Sequence, residues 1–388
     1  SKIGKRTMKI CYFGTYIDNY SRNRIMIESL RKVGAHVFEC HEVLWKSIDQ
    51  RVNLVKFGPN CDFIMQVVKT TISLVIKYFR LCRNCDLILV GYPGHFDIFL
   101  AWFLAKLTKK PLVLDFFMSL YLISKERKLN ESNKVMVSLL RYVERVGVRL
   151  PNFIIQDTVE YKEWLVRNYN LKPQKIIVIP TGANDNIFKR EKYCNKERNE
   201  FIVLYYGTYI PNHGTSVIIE AAKLLKNYPD IKFIMVGKGP DLRICKQLVS
   251  EYHLVNVEFI DWLEQNELTK LIYMADVCLG AFGQTPQSLM TIHNKVYECL
   301  AMGKAVITGI SPATERVFTN YHDIFLCDRT PNGLADAIKT LYLDPTLKME
   351  LAENGYRVFV EKFSTEKIGQ ILLSNLKDRI YKMGEGTL

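Results

Sequence analysis

The sequence has no apolar run long enough to cross a membrane. A spanning helix needs about 18 to 20 consecutive apolar residues, and the best candidate, residues 63–81, is interrupted by Lys69, Lys77 and Arg80. No signal peptide is predicted either, because the basic N-terminal residues lead directly into a strand-like run at 8–14. These absences predict a cytoplasmic protein without a membrane-spanning segment.

The sequence also lacks a recognisable metal or nucleic-acid motif. Its ten cysteines are scattered and often lie in apolar runs, a pattern typical of buried free thiols in a reducing compartment. Cys82 and Cys85 have the CxxC spacing but no second CxxC or histidine pair. That spacing leaves open a zinc or redox site, although two incidental thiols are favoured. We therefore predict no metal, no cofactor and no nucleic-acid partner.

Charge is distributed unevenly along the chain. The net charge of +13 comes entirely from residues 1–185, where 29 Lys and Arg face 16 Asp and Glu, since residues 186–388 hold 24 of each. Aromatic residues precede lysines in residues 97–110, and arginines recur every fourth residue in 141–149. Cations beside aromatic residues favour an anionic membrane surface, and a solvated basic face is the alternative. The residues predicted for a membrane or acceptor surface are Trp102, Lys109, Lys110, Arg141, Arg145 and Arg149.

Short apolar strands alternate with helical segments throughout the sequence. The predicted strands are 9–13, 36–39, 87–90, 112–114, 153–156, 176–179, 202–206, 232–236, 257–260, 277–280, 305–308 and 324–326. This alternation in both halves predicts an α/β protein of two doubly wound domains with parallel sheets. A polar, turn-rich segment at 182–196 places the boundary. We predict domains at 1–183 and 184–364, with the final helix, 365–388, packing back onto the first.

Residues 283–309 are the most informative segment. They are predicted to form a loop, then a helix capped by Thr291 or Asn294 with Gly303 beyond its end, then a buried strand. Lys295 and Glu298 lie in the first turns of that helix. Helix N-termini favour phosphate, and a carboxylate one turn further in reaches neighbouring sugar hydroxyls, so this segment predicts a nucleotide-sugar site. A plain surface pair between Lys295 and Glu298 is the alternative.

Three further segments carry possible site residues. In 205–214, His213 precedes a helix start, where an anion would be favoured. In 13–24, Arg22 lies near a helix start that has a single glycine, which argues against a GxGxxG loop. Asp115 ends a predicted strand, where a carboxylate can orient a hydroxyl or assist proton transfer. Ordinary turns, solvated arginines and a turn aspartate are the alternatives.

At this point the motifs resemble those of a known family. The sequences NKVYECLAMGKAVIT, VIPTGANDNIF, VLYYGTYIPNHGTSVIIEAAKLL and FIMVGKGP resemble signatures of family 4 retaining glycosyltransferases with the GT-B fold, the glycosyl transferases of group 1. The resemblance implies two Rossmann-like domains facing across a cleft. It also implies a UDP- or GDP-sugar donor in the second domain, an acceptor in the first, and no metal.

The resemblance assigns roles to individual residues. Glu298 would bind ribose, the backbone of 289–291 would hold the diphosphate, and Gly14 with Thr15 would face the donor phosphate. The full donor-binding set is Glu298, Gly14, Thr15, Gly207, Thr208, Leu289, Met290, Thr291 and Asn294.

This sequence departs from the family pattern at three places. Met290 replaces a glutamate that often holds the donor sugar, and Thr208 and His213 replace the arginine and lysine that clamp the diphosphate. A histidine common after the fourth strand is missing near Asp115. We hypothesise that Lys295, with His213 and Arg22, stabilises the departing phosphate.

The predicted function is retaining transfer of a sugar from a nucleotide-diphosphate donor to a glycan or lipid-linked acceptor. The expected setting is cell-surface glycan or polysaccharide biosynthesis at the inner face of the cell membrane. Two alternatives stay open: a non-catalytic GT-B binding protein, and a nucleotide-sugar epimerase of the same fold.

Overall fold

A computed structural model describes residues 7–44, 61–128, 131, 133–190 and 199–385. The chain divides into two units, one of Ser1–Pro180 with Thr365–Leu388 and one of Thr181–Ser364. The division falls three residues before the predicted boundary, and the final helix lies with the first unit. Each unit is an α/β layered structure, so the predicted fold class is confirmed.

The first unit contains a parallel sheet of six strands in the order β2-β1-β3-β4-β5-β6. The strands are β1 (Lys9–Gly14), β2 (His36–His41), β3 (Leu87–Val90), β4 (Leu112–Asp115), β5 (Phe153–Gln156) and β6 (Ile176–Val178). The helices are α1 (Ser21–Lys32), α2 (Cys61–Lys77), α3 (Asp97–Thr108), α4 (Leu120–Glu126), α5 (Lys134–Gly147), α6 (Val159–Tyr169) and α15 (Thr365–Gly384). A π-helical turn, Tyr78–Cys82, continues α2.

Strand order decides which face of this sheet each helix covers. The step from β1 to β2 runs in one direction across the sheet, and the later steps run in the other. Because parallel crossovers are right-handed, α1 lies on one face while α2, α3 and α5 lie on the opposite face. α15 joins α1 on the first face, where Ile25, Leu30, Ile368 and Leu372 share one buried core.

The second unit contains a parallel sheet in the order β12-β11-β10-β7-β8-β9. Its strands are β7 (Phe201–Tyr206), β8 (Ile231–Val236), β9 (Val257–Ile260), β10 (Val277–Leu279), β11 (Ala305–Gly309) and β12 (Phe325–Cys327). Its helices are α7 (Thr215–Leu224), α8 (Leu242–Glu251), α9 (Gln265–Met274), α10 (Pro286–Met290), α11 (Asn294–Ala301), α12 (Pro312–Val317), α13 (Pro331–Leu343) and α14 (Pro345–Lys362). Two apolar cores fill the two faces of this sheet.

Candidate active site

The predicted loop–helix–strand of residues 283–309 is present in the second unit. α10 and α11 follow β10, and β11 follows them. The cap prediction was wrong, because His293 occupies the N-cap of α11 without a side-chain capping bond and Asn294 is the first helical residue. Gly303 lies just beyond the helix with φ of 67°, as predicted for the end of this helix.

Lys295 is a buried cation rather than a surface residue. Its side chain is only 5% exposed, its Nζ lies 4.1 Å from the centre of the Tyr205 ring, and 3.4 Å separates Nζ from His213 Nδ1. Among the described residues no carboxylate lies within ion-pair distance of this ammonium. Burial therefore lowers the pKa of Lys295 to about 7, against smaller opposing effects of Cys299 and Glu298.

Glu298 is likewise buried, at 7% exposure, so the alternative of a surface Lys–Glu pair is wrong. The Tyr206 hydroxyl donates to Glu298 Oε2 over 2.7 Å and fixes the carboxyl group. Burial raises the pKa of Glu298 to about 7, while the Tyr206 hydrogen bond and Lys295 oppose that rise. A carboxylate held in this way is ready to accept hydrogen bonds from a diol.

The turn after β7 packs against Lys295. Gly207 has φ of 141°, and a Cβ atom there would lie 2.9 Å from Lys295 Nζ and 3.3 Å from His213 Cε1. The Tyr205 hydroxyl lies 2.8 Å from His213 Nδ1 and 3.1 Å from the Thr208 carbonyl oxygen. Glycine at 207 therefore leaves room for both basic side chains on the same side of the turn.

Arg329, immediately after β12, is a site residue that sequence reasoning missed. Its guanidinium donates to the carbonyl oxygens of Gly283, Ser288, Gly309 and Ile310 and to the Ser288 hydroxyl. It ties together the loop before α10, the helix itself and the end of β11. No local sequence signal pointed to it, because its partners are backbone groups distant in the chain.

The site is rich in basic groups. The rings of His213 and His293 meet edge to face with centroids 4.9 Å apart. Burial, together with the nearby charges of Lys295 and Arg329, lowers the pKa of His293 to about 3. Burial also lowers the pKa of Arg329 to about 10. Two buried basic groups, Lys295 and Arg329, therefore lie near His293. A buried basic group gains from a bound anion, so this region would favour one.

The predicted diphosphate cradle is only partly available. The backbone N–H of Leu289 donates to the Thr285 carbonyl, and that of Thr291 donates to the Gln287 carbonyl. These two donors are used within the chain, as is the Val296 N–H in the first turn of α11, which donates to the His293 carbonyl. Met290 and Asn294 are partly exposed beside this turn.

The first unit holds the other predicted donor contacts. The Thr15 backbone N–H donates to Asp97 Oδ2 over 2.6 Å, and its hydroxyl also reaches the Asp97 carboxylate. A Cβ at Gly14 would lie 2.6 Å from Asp97 Oδ2, so glycine permits this carboxylate to approach. The predicted contact of Gly14 and Thr15 with a donor phosphate stays a prediction.

Arg22 and Asp115 form an internal ion pair. Both side chains have no exposed surface, and Arg22 Nε and Nη2 donate to the two Asp115 oxygens over 2.9 and 3.0 Å. Arg22 also donates to the Ile179 carbonyl. The expectations of a solvated Arg22, a leaving-group role for Arg22 and a substrate role for Asp115 are therefore corrected. Each side chain neutralises the charge of the other, and the ion pair joins α1 to β4.

The predicted membrane surface is exposed. Trp102, Lys109, Arg141, Arg145 and Arg149 all reach solvent and Lys110 does so in part. The inward face of α5 is formed by Val137, Leu140, Glu144 and Gly147, whereas Val135 and Leu139 are exposed. No helix within the described ranges has the length and hydropathy needed to span a bilayer.

Three cysteines meet in the core of the first unit. The sulfur atoms of Cys11, Cys40 and Cys82 lie within 4.8 Å of one another and are buried. Cys82 belongs to the CxxC pair, and the other two thiols of this group come from β1 and β2. All three are free thiols. The predicted absence of a metal stays a prediction.

Known proteins resemble this chain in sequence and in fold. Residues 187–358 match the family model described as "Glycosyl transferases group 1". The matched residues all lie in the second unit. The chain is 24% identical over 290 residues to alpha-D-kanosaminyltransferase of Streptomyces kanamyceticus, covering 71% of this chain and 72% of that protein.

Two further likenesses extend over most of the chain. Identity is 22% over 368 residues with chitobiosyldiphosphodolichol beta-mannosyltransferase of Debaryomyces hansenii, covering 84% of this chain and 73% of that protein. The crystal structure of Anabaena HepE in complex with UDP matches with a TM-score of 0.69 and 14% identity, covering 96% of this chain and all of that one. The structural likeness shows the GT-B fold.

Proposed function

We propose that the protein transfers a sugar from a nucleoside-diphosphate donor bound in the second unit. The observation that carries the proposal is the buried Lys295, which no carboxylate neutralises among the described residues and which lies beside His213 and the start of α11. An ammonium in that setting gains most from a bound anion. The solved relative HepE binds UDP, which supports a nucleotide donor.

Glu298 is assigned to the ribose of the donor. It lies on the same face of α11 as Lys295, three residues later, so a phosphate at Lys295 leaves the adjacent sugar within reach. Tyr206 holds one carboxylate oxygen and directs the group.

Lys295 and His213 are assigned to stabilising the diphosphate as it leaves. The bond between the sugar anomeric carbon and the phosphate oxygen breaks, and negative charge builds up on that oxygen. Removing one preorganised charge of this kind typically costs about 10²–10³ in rate. Arg22 and Asp115 are omitted, because they bind each other inside the first unit.

Retention of anomeric configuration is also part of the proposal. The acceptor oxygen would attack the face from which the phosphate departs, and a departing phosphate oxygen would take the acceptor proton. The names of the two relatives carry "alpha" and "beta", so they do not decide the outcome. The anomer formed by the enzyme, identified by proton NMR, tests this step. An inverted product would refute it.

The acceptor is proposed to be a lipid-linked or oligosaccharide hydroxyl for a surface glycan, and no metal is assigned to the reaction. One relative's name contains a dolichol-linked sugar, which supports a lipid-linked acceptor. Activity should therefore be the same with and without EDTA. A requirement for added Mg²⁺ or Mn²⁺ would contradict the metal-independent step.

A panel of UDP- and GDP-sugars tests the function and separates its rivals. Slow release of nucleoside diphosphate from one donor, accelerated by an acceptor extract, supports transfer. A donor converted to its epimer without release supports an epimerase, and tight binding without turnover supports a binding protein.

A further inference from the structure

Helix α2 has apolar side chains on two opposite faces. Thr70 and Leu74 are its buried residues and face the sheet. The opposite face exposes Met65, Val68, Ile72 and Ile76, continued by Phe79 in the π-helical turn. At about 100° per residue these five side chains fall within an arc of about 80°. A surface helix normally keeps its outer face polar, so this one lacks the usual pattern.

The neighbouring helices continue this apolar surface. α3 exposes Phe99, Trp102, Phe103 and Leu107. α5 exposes Val135, Leu139 and Tyr142, with Val135 at 81%. Monomeric proteins rarely expose contiguous apolar patches of this extent without using them.

The three helices are adjacent. All three cover the same face of the sheet, as the strand order requires. The Tyr78 hydroxyl at the end of α2 lies 2.7 Å from Thr108 Oγ1 at the end of α3. At the other end of α3, a Cβ at Gly147 of α5 would lie 3.3 Å from Ile98 Cγ2. The exposed side chains therefore form one outer surface, here called the three-helix face.

Cations border the three-helix face. Residues 61–149 contain 14 Lys and Arg against 7 Asp and Glu. Four of those seven carboxylates are engaged inside the unit, by Lys9 N–H, Thr15, Arg22 and Ser119. Exposed cations of this range include Lys69, Arg80, Arg83, Lys106, Lys109, Lys134, Arg141 and Arg145. The border is thus strongly positive.

We propose that the three-helix face docks onto an anionic phospholipid membrane, with α2 lying in the plane of the interface. The apolar stripe enters the headgroup–acyl boundary, Trp102 and Tyr142 lie at the headgroup level, and the bordering cations contact lipid phosphates. This inference rests on the proposed function and extends it, because docking would hold the first unit on the membrane that carries a lipid-linked acceptor.

The charge pattern favours a membrane over a second copy of the chain. A symmetric dimer through this face would bring two positive borders together, and like charges in contact oppose association. Anionic headgroups neutralise the same border. The aromatic residues among the cations also match the composition of interfacial segments.

Vesicle binding by the full chain, without donor or acceptor, tests the proposal. Wild-type protein is mixed with vesicles of phosphatidylcholine containing 30% phosphatidylglycerol (roughly the anionic content of a charged leaflet) and sedimented. The variant Met65→Ser/Ile72→Ser/Ile76→Ser removes exposed side chains only, and Ile244→Ser/Val255→Ser on the second unit is its matched control. The triple variant should bind at least about tenfold more weakly, since each inserted side chain contributes several buried CH₂ groups.

A second pair of variants separates the charge contribution. Lys106→Gln/Arg141→Gln should weaken binding by about 25-fold at low salt, at about fivefold per cation. Arg243→Gln, an exposed cation of the second unit, should leave binding unchanged. High salt should release the charge-dependent part while the difference made by the apolar triple variant persists.

Three results would overturn the proposal. The first is that wild-type protein does not sediment with the vesicles. The second is that the wild type and the triple variant bind the vesicles equally well. A concentration-dependent dimer in ultracentrifugation that the triple variant abolishes would assign the face to a second copy. Circular dichroism of every variant excludes misfolding. Hydrolysis of a soluble donor, measured on the same preparations, reports separately on the proposed function.

Discussion

The buried Lys295 predicts that donor binding takes up a proton. Because the pKa of Lys295 is about 7 in the free protein, most of its side chain is the neutral amine above pH 8. A nucleotide-sugar carries an esterified diphosphate whose two charges do not change in this range. When these charges reach Lys295, the ammonium regains a partner and its pKa rises towards its ordinary value.

The sign and size of the effect follow from linkage. Below pH 7 Lys295 is already charged, so little proton uptake is expected. Above pH 7, uptake should rise towards about one proton per site at pH 8.5. Affinity should then fall by nearly tenfold per pH unit, or about 50-fold between pH 7 and 9, equivalent to about 2.3 kcal/mol.

Isothermal titration calorimetry of the best-bound UDP- or GDP-sugar, in two buffers of different ionisation enthalpy, measures the uptake. Lys295→Arg is the matched control, because a guanidinium stays charged throughout this range. It should bind the donor without the pH dependence above pH 7. Equal uptake by the wild type and this variant at pH 8.5 would refute the assignment, as would no uptake by the wild type despite normal binding.

Three further predictions concern the residues that build the two units. Gly207→Ala should weaken donor binding, since φ of 141° is strained for alanine and the added Cβ would displace the lysine ammonium 2.9 Å away; normal affinity would contradict this. Arg22→Met should destabilise the protein by about 3–5 kcal/mol in urea unfolding, because it strands the Asp115 charge, whereas Arg24→Met on the surface should cost under about 1 kcal/mol. Arg329→Met should lower both the thermal midpoint and donor affinity by loosening the loop that it ties, and unchanged affinity would show that the loop is held without it.

The strand pattern of the fold could be predicted from the sequence. All twelve predicted strands are present within two residues of their predicted ends, because fully buried parallel strands read as short apolar runs between turn residues. The end of α11 was predicted from Gly303, whose left-handed backbone marks a helix end. Its start was not, since His293 occupies the N-cap without a side-chain bond to the backbone.

The environment of the site residues was harder to predict. Sequence spacing was also compatible with an ion pair between Lys295 and Glu298 on the surface. The structure shows that both side chains are buried. Arg329 gave no signal because it binds carbonyl groups, which any residue provides. Arg22 and Asp115 looked like separate site residues, and their 93-residue separation concealed the ion pair between them.

The apolar outer surface of the first unit was also not predicted from the sequence. Charged residues within 63–81 excluded a spanning helix but did not reveal that one face of α2 is exposed and apolar. Val135 and Leu139 of α5 also reach solvent, although both are apolar. Exposure depends on which neighbouring helices are present, and a single segment does not encode that.

The rate of nucleoside diphosphate release from the preferred donor tests the central claim most directly. We expect Lys295→Met and Glu298→Ala each to lower this rate by about 10²-fold or more at saturating acceptor, the first mainly through kcat and the second mainly through KM. Circular dichroism of both variants checks that they fold. Release at the wild-type rate by Lys295→Met would contradict the account.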